Sequence, residues 1–243
     1  MKKLLLLFAI SFVTTLAFSQ HQPKPFSTGS DEPVVTTSRG GELDCSGNSI
    51  FSQSPVNSNN GYYSDNGTLY NAQNLFENFS GLTEWIGGIT FWGYMYDGGD
   101  CYVAGSQDFE ITFFQDNAGA VGTQVQTFTV TVTPTETGSY FNGASILRYD
   151  VTFSSAVSLS DGWVSVVKLN PGNNDCEFTW LNTINGDDLI AYNHNGGTPV
   201  YYTENMSFCL TGQPPVPVSN WALILGVFLI AVFMVVRYKR QMA

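Results

Sequence analysis

The chain has little of what familiar catalysis requires. It carries two histidines in 243 residues, His21 and His194. His21 lies near the start, among Pro, Ser and Thr, and His194 sits in the turn-like run Asn193-His194-Asn195-Gly196-Gly197. A nucleophile activated by an imidazole needs that ring beside an exposed Ser or Cys, and neither histidine has such a setting. No Gly-x-Ser-x-Gly, His-Glu-x-x-His or phosphate-binding glycine loop occurs. That argues against α/β-hydrolase, zinc-protease and nucleotide chemistry.

Positive charge is equally scarce. Between Cys45 and Gly212 the basic residues are Arg148 and Lys168 alone, in a chain of formal net charge -11. Such a surface repels phosphate backbones, which excludes nucleic acid as a partner and disfavours anionic headgroups. Long stretches of helical period are missing from the same region. Cysteines are few, and no Cys-x-x-Cys spacing points to zinc. The four present are Cys45, Cys101, Cys176 and Cys209. An even number in an exported chain implies two disulfides, with three pairings open. The favoured one joins Cys45 to Cys209, first strand to last, and Cys101 to Cys176, loop to loop.

What the chain does have begins at its two ends. Met1-Lys2-Lys3 precedes an apolar run from Leu4 to Phe18, with Ala17 and Ser19 at small-residue positions. This reads as a signal peptide over 1–19, cut after Ser19. Residues 20–44 are rich in Pro, Ser, Thr and Gly and read as a disordered leader. At the other end, Trp221 to Val236 carries no charge and is followed by Arg237, Lys239 and Arg240. The expectation is a transmembrane helix over 221–236 and a basic cytoplasmic tail over 237–243. The prolines at 214, 215 and 217 make residues 213–220 an extended spacer.

Between these ends, residues 45–212 form one domain, large enough to bury a core. Short alternating runs are separated by Gly, Asn, Asp and Pro, which predicts an all-β domain. In Gln124 to Val132, Phe128, Val130 and Val132 share one face and threonines the other, a half-buried strand ended by Pro134. Trp163 to Leu169 is almost wholly apolar and reads as central. Trp85 to Tyr96 is aromatic-rich, with Gly87-Gly88 as a bulge. With further strands at Phe109–Phe113, Leu147–Phe153, Phe178–Leu181, Leu189–Tyr192 and Met206–Leu210, some eight to ten in all make a sandwich or barrel, and the expectation is two antiparallel sheets of jelly-roll type.

Two resemblances bear on this layout. Val216-Pro217-Val218-Ser219-Asn220-Trp221, the apolar run and the basic terminus resemble bacterial C-terminal sorting signals of the IPTL-CTERM type, relatives of PEP-CTERM signals. Pro217, Ser219 and Trp221 match its motif, with spacing one residue shorter and no Pro-Glu-Pro. The resemblance implies a membrane sorting protease of exosortase type as partner. The second is carried by Ile89-Thr90-Phe91-Trp92-Gly93-Tyr94, Asp108 to Asp116, Gly162-Trp163-Val164-Ser165-Val166 and Ser207-Phe208-Cys209-Leu210-Thr211-Gly212. It looks like the jelly-roll ectodomains of surface proteins with such tails, and implies that fold with no catalytic residues.

Two binding features remain. Trp92, Tyr94 and Tyr96 lie beside a Gly-Asp loop, and exposed rings with polar neighbours suit sugar faces. Asp97, Asp100, Asp187 and Asp188 lie in Asn-Gly-Asp loops that offer hard oxygen ligands, so calcium is the candidate cofactor. Turns need the same residues. The reading is an exported, non-catalytic binding or adhesion module for surface polysaccharide or matrix. The alternatives are a passive surface-layer component, a single-pass receptor-like protein, and a glycan hydrolase using carboxylates such as Asp108, Glu110, Asp150 or Glu177.

Overall fold

The computed structural model describes residues 43–56, 58–67, 72–170 and 176–213, with 228–231, 233, 234, 237 and 238. The expected signal peptide, the leader up to residue 42, the sorting residues Pro217, Ser219 and Trp221, and most of the expected span lie outside the described residues. Those described within 228–238 are helical. Among the described residues no helix is long and apolar enough to cross a membrane.

Among the described residues thirteen strands follow one another. The first six are β1 (Ser49–Gln53), β2 (Gly61–Tyr63), β3 (Gln73–Phe79), β4 (Ile86–Tyr96), β5 (Gln107–Asp116) and β6 (Val121–Val132). Then come β7 (Thr135–Phe141), β8 (Ala144–Val157), β9 (Gly162–Lys168), β10 (Glu177–Leu181), β11 (Ile190–His194), β12 (Val200–Tyr202) and β13 (Phe208–Gly212). They form two antiparallel sheets, a β-sandwich as expected. One sheet runs β12-β11-β3-β9-β5-β6. The other is built around β4. One edge of β4 pairs with β8, which pairs with β7; the other edge pairs with β13 along Ile86–Phe91 and with β10 along Gly93–Tyr96. β13 and β10 thus lie end to end in one lane. β1 and β2 repeat the arrangement outside them, pairing with β13 and β10.

Period-two patterning explains the layers. Phe91 of β4, Tyr149 of β8, Phe109 of β5 and Phe178 of β10 point between the sheets and are fully buried. Phe91 stacks on Tyr149 at 4.8 Å between centroids, and Phe109 meets Phe178 edge-on at 5.0 Å. Every residue of β9 is buried, as expected for a strand between β3 and β5. β6, with its threonine face, is an edge. The pairing of β4 with β8 shifts between Ile86 and Gly88, the expected bulge. A Cβ at Gly88 would stand 2.4 Å from the Val151 carbonyl oxygen, so only glycine fits there.

Both favoured disulfides are present, Cys45–Cys209 and Cys101–Cys176, each with 5.8 Å between Cα atoms. Strands β1, β2, β3, β7 and β12 go beyond the runs read from the sequence.

Candidate functional site

The rings expected to form an exposed platform are placed differently. Trp92 and Tyr94 have no exposed surface. They lie on the outer face of the β4 sheet, in a second core with Phe141, Ile146, Leu181 and Cys209. Leu43 and Cys45 pack against that cluster, and the Arg148 guanidinium lies 5.8 Å from the Trp92 ring centroid. Rings enclosed in this way cannot stack on a sugar. Tyr96, at the end of β4, keeps partial exposure and meets Tyr94 edge-on at 6.1 Å. The correction has a simple cause. Alternation assigns Trp92 and Tyr94 to the outer face, and the chain covers that face with its own amino-terminal segment and disulfide.

The four candidate calcium ligands serve turns. Asp100 accepts hydrogen bonds from the Tyr102 and Ser145 amides, at 3.0 and 3.2 Å. Asp187 accepts from Asn78 at 2.7 Å, and Asp188 from Asn205 at 3.0 Å. Asp97 is exposed in the loop after β4. The loops are anchored to different elements, one to the start of β8 and the other to the end of β3. Among the described residues no three His, Cys, Asp or Glu side chains are grouped to hold a metal. The candidate hydrolytic carboxylates are also dispersed. Asp150 is paired with Arg148 at 3.0 Å, Asp108 accepts from Thr131, and Glu110 is exposed.

Glu177 is the exception, and it belongs to a constellation that the sequence reading did not bring together. Asp65, Lys168 and Glu177 are 3%, 8% and 2% exposed. Lys168 Nζ lies 3.3 Å from Asp65 Oδ2. The Gly67 amide donates to Asp65 Oδ1 at 2.7 Å, and the Phe178 amide to Oδ2 at 3.3 Å. The Glu177 carboxyl faces that of Asp65 across Gly67, where an added Cβ would lie 2.7 Å from Glu177 Oε1 and 3.0 Å from Asp65 Oδ1. Burial pushes the Glu177 carboxyl up to about 8, the Asp65 carboxyl adds to the effect, and the Lys168 ammonium opposes it. The shift favours the protonated form of Glu177.

This constellation sits at the end of the sandwich where β4 finishes. Beside it a cavity of about 170 Å³ is lined by Met95, Cys101, Val103, Gln107, Lys168 and Cys176. The Cys101–Cys176 disulfide ties the loop after β4 to the start of β10 at this point. At the opposite end, where β4 begins, the Gln213 amide donates to the Trp85 carbonyl at 2.9 Å as the chain leaves the sandwich. Comparison of the chain with protein-family models, with characterised proteins and with solved structures returned no match.

Proposed function

We propose that the chain is an exported cell-surface or matrix protein whose sandwich, of jelly-roll type, binds glycan or another matrix component without catalysis. The observation that carries this reading is the separation of two ends along β4. The chain departs beside Trp85 at one end, while the loops held by Cys101–Cys176 crown the other. Eleven residues of β4 put about 33 Å between them. A tethered module presents the end far from its tether. That end carries the cavity, the half-exposed Tyr96 and Val103, which is 82% exposed.

Other features support parts of the reading. Two disulfides fit an oxidising compartment outside the cytosol. The order β2-β10-β4-β8 against β3-β9-β5-β6 supports the jelly-roll assignment, because most successive strands cross between sheets as they do in a wound double Greek key. Delivery runs through the C-terminal segment, with Pro217, Ser219 and Trp221 as the motif for a sorting protease. A hydrolase is the poorer reading, since the carboxyl pair Asp65 and Glu177 is buried and engaged with Lys168.

The test titrates the exported protein against the host's surface polysaccharide, with and without calcium. Saturable binding is expected, lost in Val103→Asp with the melting temperature unchanged. Absence of saturable binding would leave the passive structural role, and turnover of the polysaccharide would restore the hydrolase. Mass spectrometry of the mature C-terminus tests delivery. A chain ending near Pro217 supports sorting, and one retaining Trp221 to Ala243 supports a permanent anchor.

A further inference from the structure

Beyond β2 the chain leaves one sheet for the other. The Ser64 amide donates to Phe178 O at 3.0 Å, within the β4 sheet. Ser64 O then accepts from the Lys168 amide at 3.0 Å, and the Asn66 amide donates to Lys168 O at 3.1 Å. These bonds make a parallel bridge between Asp65 and Lys168, the last residue of β9. Partners in such a bridge project to the same side, so the backbone itself sets the amine beside the carboxyl.

The arrangement is an unfavourable place for an ion pair. A buried ammonium asks for three acceptors, and among the described residues Nζ has one, at 3.3 Å. Burying both charges is costly unless the remaining hydrogen bonds are made. A second carboxyl, Glu177, stands against the first, buried beside it. Each oddity is accounted for if the three groups are reactants.

We propose that Lys168 and Asp65 are joined by an intramolecular amide bond that the folded protein forms by itself, with Glu177 as the proton carrier. In the buried pair a proton passes from Nζ to the Asp65 carboxyl, which leaves a neutral amine and a neutral acid. The Nζ lone pair attacks Cγ of Asp65, and the carbonyl electron pair moves to oxygen. The Gly67 amide, 2.7 Å from Oδ1, stabilises the negative charge that develops there. Glu177 gives its proton to the departing hydroxyl and takes one from Nζ, so it ends as it began. The Cγ–OH bond breaks and water leaves. One ammonium and one carboxylate become one amide and one water, with no oxidant, metal or cofactor.

Geometry supports the role of each part. Asp65 and Lys168 are 103 positions apart in the chain, yet are held in register by backbone bonds. Gly67 leaves room for both carboxyls, since any side chain there would collide with them. The product removes two buried charges and covalently couples the end of β2 to β9. The inference does not depend on what the module binds.

Intact mass spectrometry of the purified, disulfide-oxidised full chain is the test. The expected mass is one water below that of the sequence with two disulfides, and digestion yields a branched peptide joining Lys168 to Asp65. Lys168→Arg and Asp65→Ala are expected to show no deficit. Asp65→Asn is expected to lose ammonia in place of water. Glu177→Gln, nearly isosteric, is expected to form the bond about a hundredfold more slowly or worse. The full sequence mass in oxidised, folded wild-type protein would overturn the proposal, with no variant needed. A deficit that persists in Lys168→Arg would overturn it too, because the water would then come from elsewhere.

Discussion

Replacing Cys45 with alanine removes the Cys45–Cys209 crosslink with little other change. Cys45 is half-buried, whereas Cys209 lies fully buried against Trp92, so truncation at 209 would add a cavity to the lost bond. The freed Cys209 thiol still fills its place as a small apolar group. The crosslinked residues are 164 apart, which corresponds to about 5 kcal/mol at 25 °C from loop closure in the unfolded chain. The Cys101–Cys176 link lies inside that loop and removes 75 of its positions. Roughly ninety effective residues remain, and the figure falls to about 4.6 kcal/mol. A Lys168–Asp65 amide would shorten the loop again and bring it to about 4.3 kcal/mol. The assay is the denaturant midpoint by tryptophan fluorescence, with a slope that rises because the unfolded chain is less compact without the crosslink. A loss below about 1 kcal/mol would refute the argument that this bond acts through the unfolded chain.

Three further outcomes are expected. Trp92→Ala lowers stability by about 3–5 kcal/mol, the cost of emptying a large buried site; near-normal stability on denaturation would mean that the ring is exposed after all. Gly93→Ala lowers stability by about 1–3 kcal/mol by overpacking, because its Cβ would stand 2.4 Å from Phe178 Cε2 and 2.5 Å from the Thr179 carbonyl oxygen; an unchanged melting temperature would contradict this spacing. Glu77 is fully buried, and burial holds its carboxyl well above the ordinary 4.5 despite hydrogen bonds from Gln53 and the Met206 amide. The folded state therefore binds this proton more tightly than the unfolded state. The Glu77 contribution is complete below about pH 4.5 and is lost as pH rises toward the folded value. Melting temperatures of wild type and Glu77→Gln across pH should diverge in that sense, and parallel curves would refute it.

Glu77 also shows where the sequence was hard to read. In β3 the inward positions are Leu75, Glu77 and Phe79, and a carboxylate in the middle of the apolar face hides the alternation. Its partners, Gln53 and Met206, come from distant parts of the chain. Strands β9 and β6 were legible because the first is apolar on both faces and the second alternates cleanly. The short strands β2 and β12, three residues each, carry too little pattern to stand out. Aromatic residues on an outer face look the same in sequence whether water or chain covers them, so Trp92 and Tyr94 invited the wrong expectation. The Asp65–Lys168–Glu177 constellation had one available signal. Lys168 is one of two basic residues between Cys45 and Gly212, and it stands at the end of an otherwise apolar strand. Its partners are fixed by a crossing between sheets that no local pattern records.

The exit of the chain through β13 has a mechanical consequence. Tension on Gln213 would pull β13 along its own axis, between β1 and β4, so its hydrogen bonds would be loaded together and not peeled one by one. The pull could lengthen the strand only as far as Cys209, three residues from its end, where the load passes through sulfur to Cys45. Everything between Cys45 and Cys209 is then bypassed. For tension applied between the two ends of the chain, this domain is an inextensible link whose core carries none of the load.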